Sequence, residues 1–298
     1  GRACEHSNNP DPREAICLET EIMPQIKNLI LFAASASALV AVPISAQEQG
    51  ASALPTYAEF VDLADNAELV VRAKIRRAIA LEPERAPDVA PGFARLYVEA
   101  ETMALLSGSA PLGESLRYLV DVPLDSRGKV PNLKKQEVLL FARSVPGRPS
   151  ELQLSGDSAQ QFYSPEFEAR LRPVLTDLAA PDSPPVIVGV RDALSVPGNL
   201  TGESETQIFL ETENGAPVSV TILRRPGRPP SWGVSWGEII DQSARPPEPE
   251  SLEWYRLACA LPARLPAEAN LSNESAARTQ AERDYQLMMG ALGPCTRS

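Results

Sequence analysis

The stretch Leu69-Val70-Val71-Arg72-Ala73-Lys74-Ile75-Arg76-Arg77-Ala78-Ile79-Ala80-Leu81 decides the reading of the fold. Leu69, Val71, Ala73, Ile75, Ile79 and Leu81 hold odd positions, with Arg72, Lys74 and Arg76 between them. Successive side chains of a strand point to opposite faces, so this alternation predicts a long half-buried strand rather than a helix. The chain then repeats the pattern. Beyond a Pro-rich connection at residues 82–91, Leu96, Val98, Ala100 and Leu106 share the even face of a second long strand, while Arg95, Glu99 and Glu101 hold its odd face. Leu116, Tyr118, Val120 and Val122 mark a third strand, the run Val138–Ala142 a fourth, and Leu152 with Leu154 a short fifth. Five strands, the first two long, predict a small closed or partly closed barrel. The stripe Arg72, Lys74 and Arg76 is expected to pair with Glu99 and Glu101 on the adjacent strand.

Helix signals flank these strands. Upstream, Thr56 and Glu59 form a T-x-x-E capping box that predicts a short helix through Asp65. Downstream, Ser164-Pro165-Glu166 supplies a hydroxyl cap, a Pro at the first helical position and an acid in the first turn. Phe167, Leu171 and Leu175 give that helix an apolar face, and Pro173 is expected to kink it. The stretch APDSPP at residues 180–185 reads as a linker, which places one domain over residues 56–180 and a second over 186–298. In the second, Gln207–Thr212 and Val218–Leu223 read as a hairpin turning through Asn214-Gly215, residues that accept positive φ. Helices are expected around Leu252–Leu261 and Glu274–Leu292. The fold class is therefore mainly β with flanking helices: a five-stranded barrel, then a β-rich domain with C-terminal helices.

The order of elements in the first domain resembles the OB-type barrel of netrin-like modules, with Glu68–Ile75 and Glu137–Arg143 where those modules place barrel strands. The resemblance implies a fold. The N-terminal cysteine cluster of the inhibitors in that family is missing, so protease inhibition does not carry over. As a whole the chain is also similar to exported proteins of Gram-negative bacteria, a resemblance that brings no activity with it.

The N-terminal residues bear on compartment. Met23 opens a segment with Lys27, an apolar run from Leu29 to Val42 and the small-residue ending Ile44-Ser45-Ala46. A charged head, an apolar middle and such an ending describe a secretory signal peptide over residues 23–46, cleaved after Ala46. The apolar run is shorter than the ~20 residues that span a bilayer. Residues 1–22 are read as an upstream segment outside the fold. The expected location is the periplasm or the exterior. Residues 1–46 carry three basic and five acidic groups, so the remainder of this chain of net charge −11 keeps −9. That balance argues against a nucleic-acid partner held by phosphate contacts.

Removing the leader also removes His6, the single histidine, together with Cys4 and Cys17. Without histidine there is no Ser-His-Asp triad, no Cys-His pair and no His-ligated metal. Cys259 and Cys295 remain as an even pair, expected to form a disulfide in an oxidising compartment. Ser126-Arg127-Gly128-Lys129 matches S-x-x-K, but Asp125, Gly128 and Pro131 make the neighbourhood a turn, and neither S-D-N nor K-T-G accompanies it. No phosphate loop or dinucleotide fingerprint occurs, so no cofactor and no metal is expected. Glu203/Glu205 and Glu211/Glu213 are the nearest acid pairs, at a spacing that usually marks the wet face of a strand.

The most distinctive segment runs from Arg224 to Gly237. On a strand, Trp232, Val234 and Trp236 face one way, directly after Arg224, Arg225 and Arg228. Trp and Arg are enriched at interface hot spots, so these five residues form a candidate recognition surface. Alternatively, the rings fill the core of a small β-domain, with the glycines admitting close approach. The expectation is a non-catalytic binder of an envelope protein or peptide, the alternative being a carboxylate-based hydrolase acting on envelope glycans.

Overall fold

The computed structural model describes residues 54–239 and 244–298, so the expected upstream segment and signal peptide, residues 1–46, lie outside the described residues. Helix α1, Tyr57–Asp65, opens with the expected capping box: the Thr56 hydroxyl accepts from the Glu59 N–H at 3.3 Å, and the Glu59 carboxylate accepts from the Thr56 N–H at 2.7 Å. Strands β1 (Leu69–Ala80), β2 (Phe93–Ser107), β3 (Ser115–Pro123), β4 (Glu137–Val145) and β5 (Arg148–Leu154) follow. They are ordered β1-β2-β3-β5-β4, and β4 returns to pair with β1, closing a five-stranded barrel. All neighbours are antiparallel except β3 and β5. A three-residue strand, β6 (Gln160–Phe162), adds to β4 outside the barrel.

The barrel interior is filled by the alternating residues of each strand: Leu69, Val71, Ala73 and Ile75 from β1, Leu96, Val98 and Ala100 from β2, Leu116, Tyr118, Val120 and Val122 from β3. The phase of β1 does not persist. A register shift between Ile75 and Arg77 inserts an extra residue, so Ala78 turns to the barrel core and Ile79 becomes 37% exposed. The inward position expected for Ile79 is corrected by that bulge. The cation stripe also finds a different main partner. Arg72 pairs with Glu137 of β4 at 2.6 Å and stacks on the Tyr163 ring, Lys74 lies 3.9 Å from Glu137, and Arg76 alone pairs with Glu101.

All five residues Val138–Ala142 of β4 are buried, because both of its faces are covered. Val138, Leu140 and Ala142 point into the barrel, whereas Leu139 and Phe141 lie beneath α1 and α2 (Pro165–Ala179) with Phe60, Val61, Phe167 and Leu171. Ser164 caps α2 through the Phe167 N–H at 3.0 Å, and the helix continues through Pro173.

A second, four-stranded sheet has the order β10-β9-β8-β7, from β7 (Ile187–Pro197), β8 (Ser204–Thr212), β9 (Val218–Arg224) and β10 (Ser231–Ser235). The β8–β9 connection turns through Gly215 at φ 76°, and the Asn214 side chain accepts from the Ala216 N–H at 3.0 Å. Helices α3 (Leu252–Ala258) and α4 (Ser275–Leu292) cover its inner face, packing Leu257, Tyr285 and Met288 against Ile208, Val220 and Ile222. Both edges are covered. Ala193 of β7 exchanges main-chain hydrogen bonds with Ala269 and Leu271, and Val234 of β10 donates to Arg245. Leu252 of α3 enters the same core as Phe60 and Leu139, so barrel, helices and second sheet make one compact unit.

Candidate binding site

The residues of the Arg/Trp segment are divided between interior and surface. Trp232 is 9% exposed and sits in the core of the second sheet, and Trp236 packs partly buried against the same core. Arg224 reaches the fully buried Asp284 of α4 at 2.6 Å. Gln280 and the Thr206 hydroxyl also donate to that carboxylate, at 3.0 and 2.5 Å. A carboxylate taken wholly out of water requires such donors, so Arg224 fastens α4 to the sheet. Arg228 stands on an exposed turn after β9. Arg224 and Arg225 both border a hollow of about 430 Å³ with Leu194, Val196, Glu203 and Glu205. Of the five residues, Arg224 and Arg225 thus meet at one hollow, whereas Trp232 and Trp236 pack into the core and Arg228 stands apart on its turn. Sequence alone left both readings of Trp232 open, and the partner that places it inside, α4, begins some forty residues later.

The acid pairs are placed as strand and turn groups. Glu203 accepts from the Leu200 N–H at 3.3 Å and Glu205 from the Gln207 amide at 2.8 Å, while Glu211 and Glu213 are exposed. Ser126 and Lys129 lie on an exposed turn whose Asp125 carboxylate accepts from the N–H groups of Arg127 and Lys129, both at 2.8 Å. Cys259 and Cys295 are joined in a disulfide with Cα atoms 5.1 Å apart.

A larger hollow lies elsewhere, on the barrel, where β3 meets β5. It is an open cleft of about 770 Å³. Its floor is apolar: Leu81, Tyr97, Leu119, Val145 and Leu154 line it, and Leu119 is 48% exposed. The bulge in β1 and the pairing Ile79–Tyr97–Leu119 across β1, β2 and β3 bring these outward residues side by side.

Charged groups at the rim fall into two kinds. Arg95 is fully engaged, bidentate to Asp121 at 2.7 Å and bonded to Asp88 at 2.9 Å; the hydrogen bonds from Asp121 and then Asp88 raise its pKa further above the ordinary arginine value. Arg85 and Arg117 make no ion pair among the described residues. The acids opposite Arg117 across the sheet are Glu99 and Glu151, and Glu151 is held by Arg148 at 2.8 Å. At the base, the Tyr118 hydroxyl donates to Gln160 at 2.7 Å, and burial pushes its pKa up. The cleft thus offers apolar and aromatic side chains beside two guanidinium groups that make no ion pair among the described residues and the carboxylate of Asp157. That chemistry suits binding an extended, partly apolar chain.

Barrel, sheet and cleft define a mostly β protein with a closed five-stranded barrel, compatible with an OB-like barrel, fused to a helix-covered sheet. The sequence matches no protein-family model and no curated protein.

Proposed function

We propose that the protein is a non-catalytic, exported binding protein of the bacterial envelope that holds a protein or peptide partner in the barrel cleft. The observation that carries this reading is the cleft itself: its volume is that of a ligand site, Leu81, Tyr97, Leu119, Val145 and Leu154 give it apolar surface, and Arg85 and Arg117 make no ion pair among the described residues. The charge of −11 weighs against a polyphosphate ligand. The signal-like segment and the Cys259–Cys295 disulfide support an oxidising compartment outside the cytoplasm.

The test is a random heptapeptide display selected on the purified protein, beside a Leu119→Asp variant checked for folding by circular dichroism. The expected outcome is a family of peptides retained by the protein and lost by the variant. Peptides retained equally by both would move the site away from the cleft, and no enrichment at all would overturn peptide binding.

A further inference from the structure

The hollow is lined differently by its three strands. From β2 it takes alternate residues, Arg95 and Tyr97, as a site on the face of a sheet must. From β3 it takes five consecutive residues, Arg117 to Asp121, and from β5 four, Glu151 to Leu154. Consecutive residues of a strand share an edge and never a face, so the cleft opens onto the main chains of β3 and β5.

The ladder explains why. β3 and β5 are joined by one parallel pair, Arg117 with Glu151. The next pair in that register would be Leu119 with Gln153, and it is not formed. No further pair joins the two strands beyond it, whereas the other edge of β3 is paired with β2 along its whole length. Every second N–H and C=O of β3 beyond Arg117 therefore faces the cleft rather than a neighbouring strand. Pro123 lacks an N–H and ends the usable edge, which leaves Leu119 to Val122, about 13 Å of strand.

We infer that the cleft takes its partner as an added β-strand, an extended polypeptide that pairs main chain to main chain with β3 and sets an acidic side chain against Arg117. This rests on the polypeptide-binding reading above and names its mode. An unpaired strand edge supplies donors and acceptors at the spacing that only another main chain repeats. Alternate side chains of the added strand then lie beside Leu119 on one face. Among the described residues Arg117 and Arg85 make no ion pair, and neither does Asp157 on the same rim, so the complementary segment is acidic only at the end that lies over Arg117.

The test uses fluorescently labelled heptapeptides enriched on the full chain, each resynthesised with one N-methyl group at successive positions. Strand addition predicts a period of two: loss of about tenfold in affinity where a main-chain N–H faces β3, and little change between. Arg117→Glu, an exposed change, is expected to exchange the preference for an acidic residue at one peptide position for a basic one. On binding, hydrogen exchange at residues 119–122 slows. Uniform or absent sensitivity to N-methylation overturns the added strand while leaving peptide binding in place. Failure to enrich any peptide over the Leu119→Asp control removes both, as does a single-stranded oligonucleotide that occupies the cleft instead.

Discussion

The Tyr255 hydroxyl of α3 donates to the Asp62 carboxylate of α1 at 2.5 Å, joining residues 193 apart in the chain. One turn further along α1, and at the next residue of α3, Arg256 grips Asp65 through two bonds of 2.5 and 3.0 Å and also donates to the Pro184 carbonyl. Only 5% of Arg256 is exposed. The helix that starts the barrel half is thus bound to the helix that closes the second sheet by charge as well as by the core they share.

Removing Asp65 would leave the buried Arg256 cation without its anion. Asp65→Ala is expected to lower stability by about 3 kcal/mol, near the lower end for a broken buried pair because Asp65 itself keeps a solvent-facing side. Urea unfolding followed by tryptophan fluorescence, which reports the second sheet, and by far-ultraviolet circular dichroism should shift together. A shift confined to one probe would show that the two halves unfold separately.

The disulfide extends the same connection. Cys295 begins a tail in which the Thr296 carbonyl accepts from Thr56, Arg297 binds Asp62 through both of its carboxylate oxygens, and Ser298 donates to Glu59. Linking Cys259 to Cys295, 36 positions apart, restricts the unfolded chain by about 4 kcal/mol in the loop-entropy view. The double variant Cys259→Ala/Cys295→Ala is expected to lose most of that in chemical denaturation and to speed hydrogen exchange in α1. Unchanged exchange at residues 57–62 would mean the tail holds α1 without the covalent link.

Much of the architecture is legible from local pattern because local physics decides it. The Thr56/Glu59 box, the Ser164 cap and the alternation in β2 and β3 each concern residues within a few positions of one another. What the pattern misses depends on distant partners. Ile79 has the right parity to be inward, but the bulge that reverses it arises where β1 leaves β4 and remains with β2. Arg72 turns to Glu137 rather than Glu99 because the barrel closes β4 onto β1. The cleft is invisible to periodicity for the same reason: it is a missing pair between strands whose one contact, Arg117 with Glu151, spans two intervening loops and β4. Outward Tyr97 and Leu119, on strands already apolar inside, were the one available sign.

Acid should loosen the α1 anchor. Burial alone would raise the Asp62 carboxyl, but hydrogen bonds from Arg297 and Tyr255 outweigh it and hold the group below the ordinary aspartate range; bonds from Ser298 and Thr56 likewise outweigh burial at Glu59. Carboxylates lowered in the folded state contribute stability that is complete above their unfolded values, about pH 4, and is lost as pH falls through the folded ones. The melting temperature is therefore expected to hold steady above about pH 5 and to drop below pH 4, with a shallower drop in Asp62→Asn. Parallel acid profiles for the two proteins would assign the loss to other groups.

Gly233 is where the edge of the second sheet is sealed. A Cβ on this residue would run into the carbonyl of Ala244, since the returning main chain lies directly over β10 and Val234 bonds to Arg245 at 3.3 Å. Gly233 has ordinary backbone angles, so its requirement is space and not conformation. Gly233→Ala must push the main chain at Ala244 away from β10, and overpacking of that kind costs about 1–3 kcal/mol. Gly237→Ala, four residues on, meets nothing within 4 Å and is expected to change stability by less than about 0.5 kcal/mol. Differential scanning calorimetry of the two variants separates the cases: a large drop for Gly233→Ala alone supports a close-packed cover over β10, and equal behaviour would show that the covering segment moves aside freely.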